Sequence, residues 1–487
     1  MKVVKKIITH VLLGSLFVLV LTGCTNNNIQ DTPTILAETN DAEQESSDVD
    51  SSQEEAKSEE NGMVTLTIDP NLEGRTGTTI SYSVGSEIDL SSRRYFFTRE
   101  GYNRDLTLYF DADGQEMIPD NKFVIEEDTT VYLGWTKWSD DELPRINEYL
   151  TLLDESKKIL TRPKAWNGDV DAFNAYAEFM DSTNIINAQG RLQVIDNPGI
   201  IDEMNEYRNK LVQTTSDVDE DVWYIWGDDM PDGTNPENFY LTHDSEDFTP
   251  FLVPYLAEDQ SEVKGNMIVI AGGAFHRRAN LHESYPAAEF YQNNGYNAFV
   301  LQYRVEPYSQ LESFADLQRA IRYIKYNGEN LGLAFPERVS AVGFSAGGMT
   351  ISGMIDKLES DSLPSDYFNN YTPDEIDQVN SSLDAALNIY GAMEDDIKDP
   401  ETKELPEMFF VVSEKDTTIP VESSISMYMD VFRLTRSELH LFADGIHGIG
   451  LGSTWNHGTY TAYSQWGDLS LTFLDITYGY QEKHIEN

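Results

Sequence analysis

Ser345 is the residue around which chemistry can be built. It sits in Gly343-Phe344-Ser345-Ala346-Gly347, directly after the apolar run Val339–Phe344 and before a helix-forming stretch that continues Gly348-Met349-Thr350. A serine hydroxyl is a poor nucleophile in water. It needs a base to take its proton, a third group to orient that base, and donors aimed at the oxyanion that develops. A strand, a tight turn and a helix in that order suit such a nucleophile. The flanking glycines leave room for the turn, and the helix N-terminus turns partial positive charge toward the reacting centre.

Candidates for the other parts lie on both sides. Upstream, the apolar run 267–271 ends in Gly272-Gly273-Ala274-Phe275-His276. A loop in this place supplies one backbone N–H to the oxyanion, and the residue after the nucleophile supplies another. The donors read as Ala274, with Gly273 as its neighbouring candidate, and Ala346. Downstream, the histidines are His440, His447, His457 and His484. His440 falls inside an alternating strand and His484 in the polar tail. His447, in Asp444-Gly445-Ile446-His447-Gly448, lies in a glycine-flanked loop from which an imidazole can swing over the serine; His457 is the second choice. The acid reads as Asp416, in the loop Ser413-Glu414-Lys415-Asp416 that leads through Ile419-Pro420 into the next helix, with Glu414 as the alternative. Ser345, Asp416 and His447 then form a triad in which the acid holds the imidazole tautomer and stabilises the imidazolium.

These residues need a frame. Short apolar or alternating runs at 267–271, 298–303, 339–344, 385–390, 408–412 and 438–442 predict strands. Stretches at 282–293, 312–326, 347–357, 422–434 and 460–477 predict helices between or after them. Alternation of this kind predicts an α/β domain at 218–487, with a mostly parallel sheet covered on both faces. Within it, Trp223 and Trp226 read as buried strand tryptophans ahead of a sugar-stacking pair.

The rest of the chain is modular. In 63–137, Val64-Thr65-Leu66-Thr67-Ile68 alternates as a half-buried strand should, and Asp69-Pro70-Asn71 punctuates it, so a small β module is expected. Asp111-Ala112-Asp113-Gly114 lacks the later ligands of a calcium loop and reads as a β-turn. Residues 138–217 carry helical stripes, including Ile146, Leu150 and Leu153, then Phe173, Ala177 and Met180, then Ile200, Ile201, Met204 and Tyr207. They predict a short helical bundle acting as a spacer. Residues 25–62, rich in Asn, Ser, Thr and acids, predict an acidic disordered tether. Residues 1–24 open with Lys2, Lys5 and Lys6, continue with a short apolar core and end in Leu21-Thr22-Gly23-Cys24, as a secretory signal does.

Composition narrows the partners. The chain has 487 residues, with 84 acidic against 34 basic side chains and a formal net charge of −50. Such a surface repels phosphate backbones, which argues against nucleic acid and favours neutral or weakly charged substrates. The single cysteine, Cys24, rules out an intramolecular disulfide. The serine chemistry calls for no metal or organic cofactor, and clustered Cys/His ligands are absent from the sequence.

Several motifs carry resemblances. Leu21-Thr22-Gly23-Cys24 resembles the lipobox of bacterial lipoproteins, which implies lipidation of Cys24 and anchorage at the extracellular face of the cell membrane. The order of strands and turns in 63–137, with Gly101-Tyr102 and Leu133-Gly134-Trp135, resembles the internalin-type (Listeria–Bacteroides) β-repeat. Residues 265–475 resemble the α/β-hydrolase esterases of the acetylxylan-esterase and feruloyl-esterase-like group. That resemblance rests on Gln302-Tyr303-Arg304-Val305, Asp316-Leu317-Gln318-Arg319-Ala320, Gly343-Phe344-Ser345-Ala346-Gly347-Gly348, Asp416-Thr417-Thr418-Ile419-Pro420 and His447-Gly448. It implies the α/β-hydrolase fold, triad roles for Ser345, Asp416 and His447, and deacylation of a small ester or an acylated carbohydrate. Two departures stand out: Ala271-Gly272-Gly273-Ala274-Phe275 replaces the usual Pro-Gly-Gly-Gly-aromatic loop, and Tyr390-Gly391-Ala392-Met393 replaces a Tyr-Pro pair. A surface binding lipoprotein with an inactive hydrolase domain, and a serine peptidase on the same fold, are the competing expectations. The sequence is silent on acyl group and oligomeric state.

Overall fold

The computed structural model describes residues 63–72, 78–90, 99, 101–166, 170–183, 192–213, 222–227, 229–231, 248–306, 308–392, 397–454 and 458–480. Cys24, His457 and His484 lie outside them. The chain divides into two compact units, one of residues up to 94 with 107–133, the other of 95–106 with 134–487.

The segment 63–137 carries β1 (Met63–Asp69), β2 (Thr78–Ser83), β3 (Ser86–Asp89), β4 (Tyr102–Tyr109), β5 (Lys122–Ile125) and β6 (Thr129–Lys137), with 102–106 of β4 and 134–137 of β6 counted in the second unit. A four-stranded sheet runs in the order β2-β1-β6-β4, and β3 pairs antiparallel with β5. Val64, Leu66 and Ile68 of β1 point inward while the residues between them face out, as the period of two in the sequence requires. Residues 111–114 form a turn, with Gly114 donating to the Asp111 carbonyl.

The second unit contains α1 (Leu143–Leu160), α2 (Val170–Ser182), α3 (Gln193–Asp196) and α4 (Ile200–Arg208). The expected spacer does not stand apart. Ile146, Tyr149, Leu153 and Met204 form a local core. The other end of the segment joins a larger one, where Ile159, Phe173 and Tyr176 share a cluster with Phe251, Val253 and Tyr285. Polar contacts seal the junction: Tyr285 donates to the Leu160 carbonyl at 2.8 Å, and Lys164 donates to the Pro254 carbonyl.

The main body carries β7 (Trp223–Tyr224), β8 (Phe251–Tyr255), β9 (Gly265–Ile270), α5 (Ser284–Asn293), β10 (Tyr296–Gln302), α6 (Gln310–Asn327), β11 (Val339–Phe344), α7 (Ala346–Lys357), β12 (Ala385–Ile389), β13 (Glu407–Ser413), α8 (Val421–Val431), β14 (Ser437–Phe442), the short pair β15 (Ser453–Thr454) and β16 (Gly458–Thr459), and α9 (Trp466–Thr477). Eight strands form one sheet in the order β14-β13-β12-β11-β9-β10-β8-β7. From β14 to β10 neighbours run parallel; β8 and β7 join antiparallel. This is the α/β-hydrolase fold.

Burial on both faces explains the near-continuous apolar strands. Ile268, Ile270, Leu301 and Ala341 face a core shared with α6, α7 and α8. Met267, Val269, Val300 and Val342 face the opposite core, shared with α5 and α9. Among the described residues no helix is long and apolar enough to cross a membrane.

The strand β8, Phe251-Leu252-Val253-Pro254-Tyr255, is not among the runs expected from sequence, and it carries a proline. Proline removes a ladder donor, so a run containing one is normally demoted. Here Pro254 stands opposite Phe299 of β10, while on the other side of β8 the two-residue β7 pairs only with Phe251 and Leu252. Trp226 is buried, with its Nε1 donating to Asp316 at 2.8 Å, and Trp223 packs on Phe299.

Candidate active site

The order of the sheet sets the site. The chain leaves β9, builds β10 on one side, and returns to build β11 on the other, so β9 and β11 are hydrogen-bonded neighbours. A crevice opens at the carboxyl ends of strands at such a switch point. The loop after β9 holds Gly272, Gly273 and Ala274, and the turn after β11 holds Ser345.

Ser345 occupies φ 49°, ψ −118° immediately before α7, and is 9% exposed. An L residue in that region costs on the order of 1–3 kcal/mol and persists only when its surroundings enforce it. Close packing does so here: the Ser345 N–H donates to the Ile389 carbonyl at 2.9 Å. A Cβ on Gly347 would collide with the Ile270 carbonyl, and one on Gly343 with the Gly347 carbonyl. The glycines are therefore demanded by backbone approach on both sides of the elbow.

His447 reaches Ser345 from β14, three strands away from β11. At about 4.8 Å per strand that is roughly 14 Å, so the loop must fold back over the sheet. Gly445, Gly448 and Gly450, all at positive φ, let it turn. Nε2 of His447 lies 2.9 Å from Ser345 Oγ, and Nδ1 lies 2.8 Å from Asp416 Oδ2. The other Asp416 oxygen accepts the backbone N–H groups of Thr418 at 2.8 Å and Ile419 at 3.0 Å. An acceptor facing Nδ1 places the proton there and leaves Nε2 free to accept from the serine. The carboxylate side chain is 3% exposed and the imidazole 19%, so solvent competes little with this relay.

Other candidates fall outside it. Glu414 is exposed. His440 stays on β14, where it meets Glu438 and packs on the ring of Phe409.

The loop after β9 is wound left-handed, with Gly273 at φ 128°, Ala274 at 56° and Phe275 at 60°. It is pinned by His276 N–H to the Gly273 carbonyl at 3.0 Å and by Glu306 N–H to the Phe275 carbonyl at 2.7 Å. A Cβ on Gly272 would lie 2.8 Å from Ser345 Cβ, so this loop abuts Ser345. Ala346 opens α7, and its N–H has no intrahelical partner.

Glu283 is not singled out from sequence, and Tyr390 stands out only as the start of Tyr390-Gly391-Ala392-Met393. Glu283, at the start of α5, is buried, with Oε2 accepting the Gly272 N–H at 2.6 Å and Oε1 accepting the Tyr390 hydroxyl at 2.9 Å. Burial pushes its carboxyl above the ordinary carboxylate range, against the opposing pull of Gly272, Tyr390, His447 and Arg277. Tyr390 lays its ring 4.9 Å from that of His447. In sequence, Glu283 looks like an ordinary acid in the first turn of a helix.

With this geometry the chain can be set beside known proteins. Residues 254–404 match the BD-FAE family model. The chain is 27% identical over 258 residues to endo-1,4-beta-xylanase B of Butyrivibrio fibrisolvens, covering 46% of this chain and 39% of that protein. It is 25% identical over 226 residues to an acetylxylan esterase of Xylanibacter ruminicola, covering 43% of this chain and 46% of that one. The match thus spans less than half the length of these curated relatives. Among solved structures, the acetyl ester-xyloside bifunctional hydrolase from Caldicellulosiruptor lactoaceticus is 26% identical with a TM-score of 0.41, covering 52% of this chain and 95% of that one. Among the described residues no group of His, Cys, Asp and Glu side chains gathers as a metal site.

Proposed function

We propose that this chain is a serine hydrolase that cleaves carboxylic esters through an acyl-enzyme on Ser345. The observation that carries the reading is the relay from Asp416 through His447 to Ser345 Oγ, with contacts of 2.8 and 2.9 Å. His447 Nε2 takes the serine proton as Oγ bonds to the ester carbonyl carbon. The carbonyl oxygen becomes an oxyanion held by the N–H groups of Ala346 and Ala274, with Gly273 adjoining. The C–O bond to the alcohol breaks, and the alcohol leaves with the proton from His447. Water then repeats the sequence and frees the acid.

An acylated polysaccharide, such as acetylated xylan, is the substrate class we favour. Similarity to a protein named as an acetylxylan esterase supports it, and a formal net charge of −50 suits a neutral polymer better than a polyanion. The lipobox-like Leu21-Thr22-Gly23-Cys24 supports lipidation of Cys24 and work at the extracellular face of the cell membrane. The internalin-like β module fits display there.

A fluorophosphonate tests the reading. It should label the protein at Ser345, and Ser345→Ala should abolish labelling while lowering ester turnover by about 10⁶-fold. Full labelling in Ser345→Ala would overturn it. Acetylated xylo-oligosaccharides, feruloyl esters and aminoacyl amides, compared by kcat/KM, would then rank the substrates.

A further inference from the structure

Glu283 joins three pieces of backbone that come from different strand ends. Its Oε2 holds Gly272 after β9 at 2.6 Å, and its Oε1 accepts the hydroxyl proton of Tyr390, which follows β12, at 2.9 Å. The Tyr390 oxygen in turn accepts the N–H of Gly450, in the loop after β14, at 2.9 Å. The middle of this chain packs against the base, ring to ring, at 4.9 Å. A Cβ on Gly272 would meet both Ser345 Cβ at 2.8 Å and Glu283 Oε2 at 3.0 Å, so the carboxylate and the nucleophile flank one point of backbone.

Stability alone gives no reason for a carboxyl group here. A buried ionisable group pays a desolvation cost that a packed apolar side chain of similar size does not. A carboxyl group does offer two acceptors at a fixed spacing, which an apolar side chain cannot. Both acceptors are used, one on the loop that carries Gly273 and Ala274, the other on the group that supports the His447 loop.

We propose that Glu283 is a positioning residue: through Gly272 it sets the oxyanion loop, and through Tyr390 and Gly450 it sets the His447 loop, so that both converge on Ser345. It touches no reacting atom. The proposal rests on the acyl-transfer reading above and adds how the two halves of that site are held in register. A displacement of about 1 Å in such groups costs on the order of 10² in rate.

The test uses the full chain and an aryl acetate ester as probe. Fluorophosphonate labelling, run to completion, counts competent sites in each variant, and turnover is expressed per labelled site. Glu283→Ala should lower kcat per site about 10²-fold with KM within about threefold of wild type, because an interaction made in the transition state is weakened. Glu283→Gln should recover part of that loss, since its amide oxygen still accepts from Gly272. Tyr390→Phe, which keeps the ring against His447 and loses both hydrogen bonds, should lower kcat per site about tenfold.

Turnover per labelled site within about twofold of wild type in Glu283→Ala would overturn the proposal, even if fewer sites label, because Glu283 would then serve folding alone. If Glu283→Ala does not fold, the other two variants decide: unchanged turnover per site in both overturns the proposal. Wild-type hydrolysis and labelling in Ser345→Ala would instead overturn the acyl-transfer reading, whatever Glu283 does.

Discussion

The guanidinium of Arg304 meets both carboxylate oxygens of Asp316, at 2.7 to 3.1 Å, with neither side chain exposed to any extent. The pair ties the end of β10 to α6, and the Nε1–H of Trp226 completes it at 2.8 Å. Two residues of the sequence motifs thus have a structural job. Removing one partner strands a charge in the interior, so Asp316→Ala should lower the unfolding free energy by about 3–5 kcal/mol. The double replacement Arg304→Met with Asp316→Leu should cost far less, and urea unfolding of both variants would show whether it does.

Arg319 holds a second carboxylate in a pH-dependent way. It donates to both oxygens of Asp374, at 2.6 and 2.5 Å, and this bond holds the Asp374 carboxyl below its ordinary value of 3.8. A folded value below the unfolded one means the contribution is present above about pH 3.8 and is lost as pH falls through the lower folded value. Wild type should therefore be more stable than Asp374→Asn at pH 7, and the gap should close on acidification. A gap that widens in acid, measured by denaturant titration across pH, would contradict this.

Ala274 sits at φ 56°, where an L residue pays about 1–2 kcal/mol and glycine pays almost nothing. Ala274→Gly relieves that strain but loosens the unfolded chain by about 0.5–1 kcal/mol. The thermal midpoint should hold or rise slightly. Turnover should stay within about threefold, because the proposed oxyanion donor is a backbone N–H that both residues possess.

The two candidate acids are separable by amide substitution. Asp416→Asn keeps the shape and still accepts from Thr418 and Ile419. Its NH₂ faces His447 Nδ1, however, and this favours the wrong tautomer. Turnover should fall about 10⁴-fold. Glu414→Gln, altering an exposed side chain, should leave turnover within about twofold. Steady-state kinetics on both variants would expose an exchange of roles.

Much of the frame is legible because its signals are local. Val339–Phe344 reads as a buried strand, and the glycines around Ser345 read as a tight turn before a helix. The same logic does not reach β8, where Pro254 interrupts the apolar run and lies beyond Phe251 and Leu252, the two residues that β7 pairs. It also set the helices of 138–217 apart as a spacer, since nothing local says that Ile159 and Phe173 meet Phe251. Glu283 left no signal, because its partners Gly272 and Tyr390 lie 11 and 107 residues away.

The sequence by itself determined the strand-turn-helix around Ser345, the alternation that makes a doubly covered sheet, and the order of serine, acid and histidine along the chain. These follow from periodicity, glycine placement and chain order, which act over a few residues. Only the tertiary structure decided that β9 lies beside β11, so that Gly272 abuts Ser345, and that the His447 loop folds back across two intervening strands to reach it. Strand order is fixed by hydrogen bonding and helix packing between segments far apart in sequence, and no local pattern encodes which strand ends will meet.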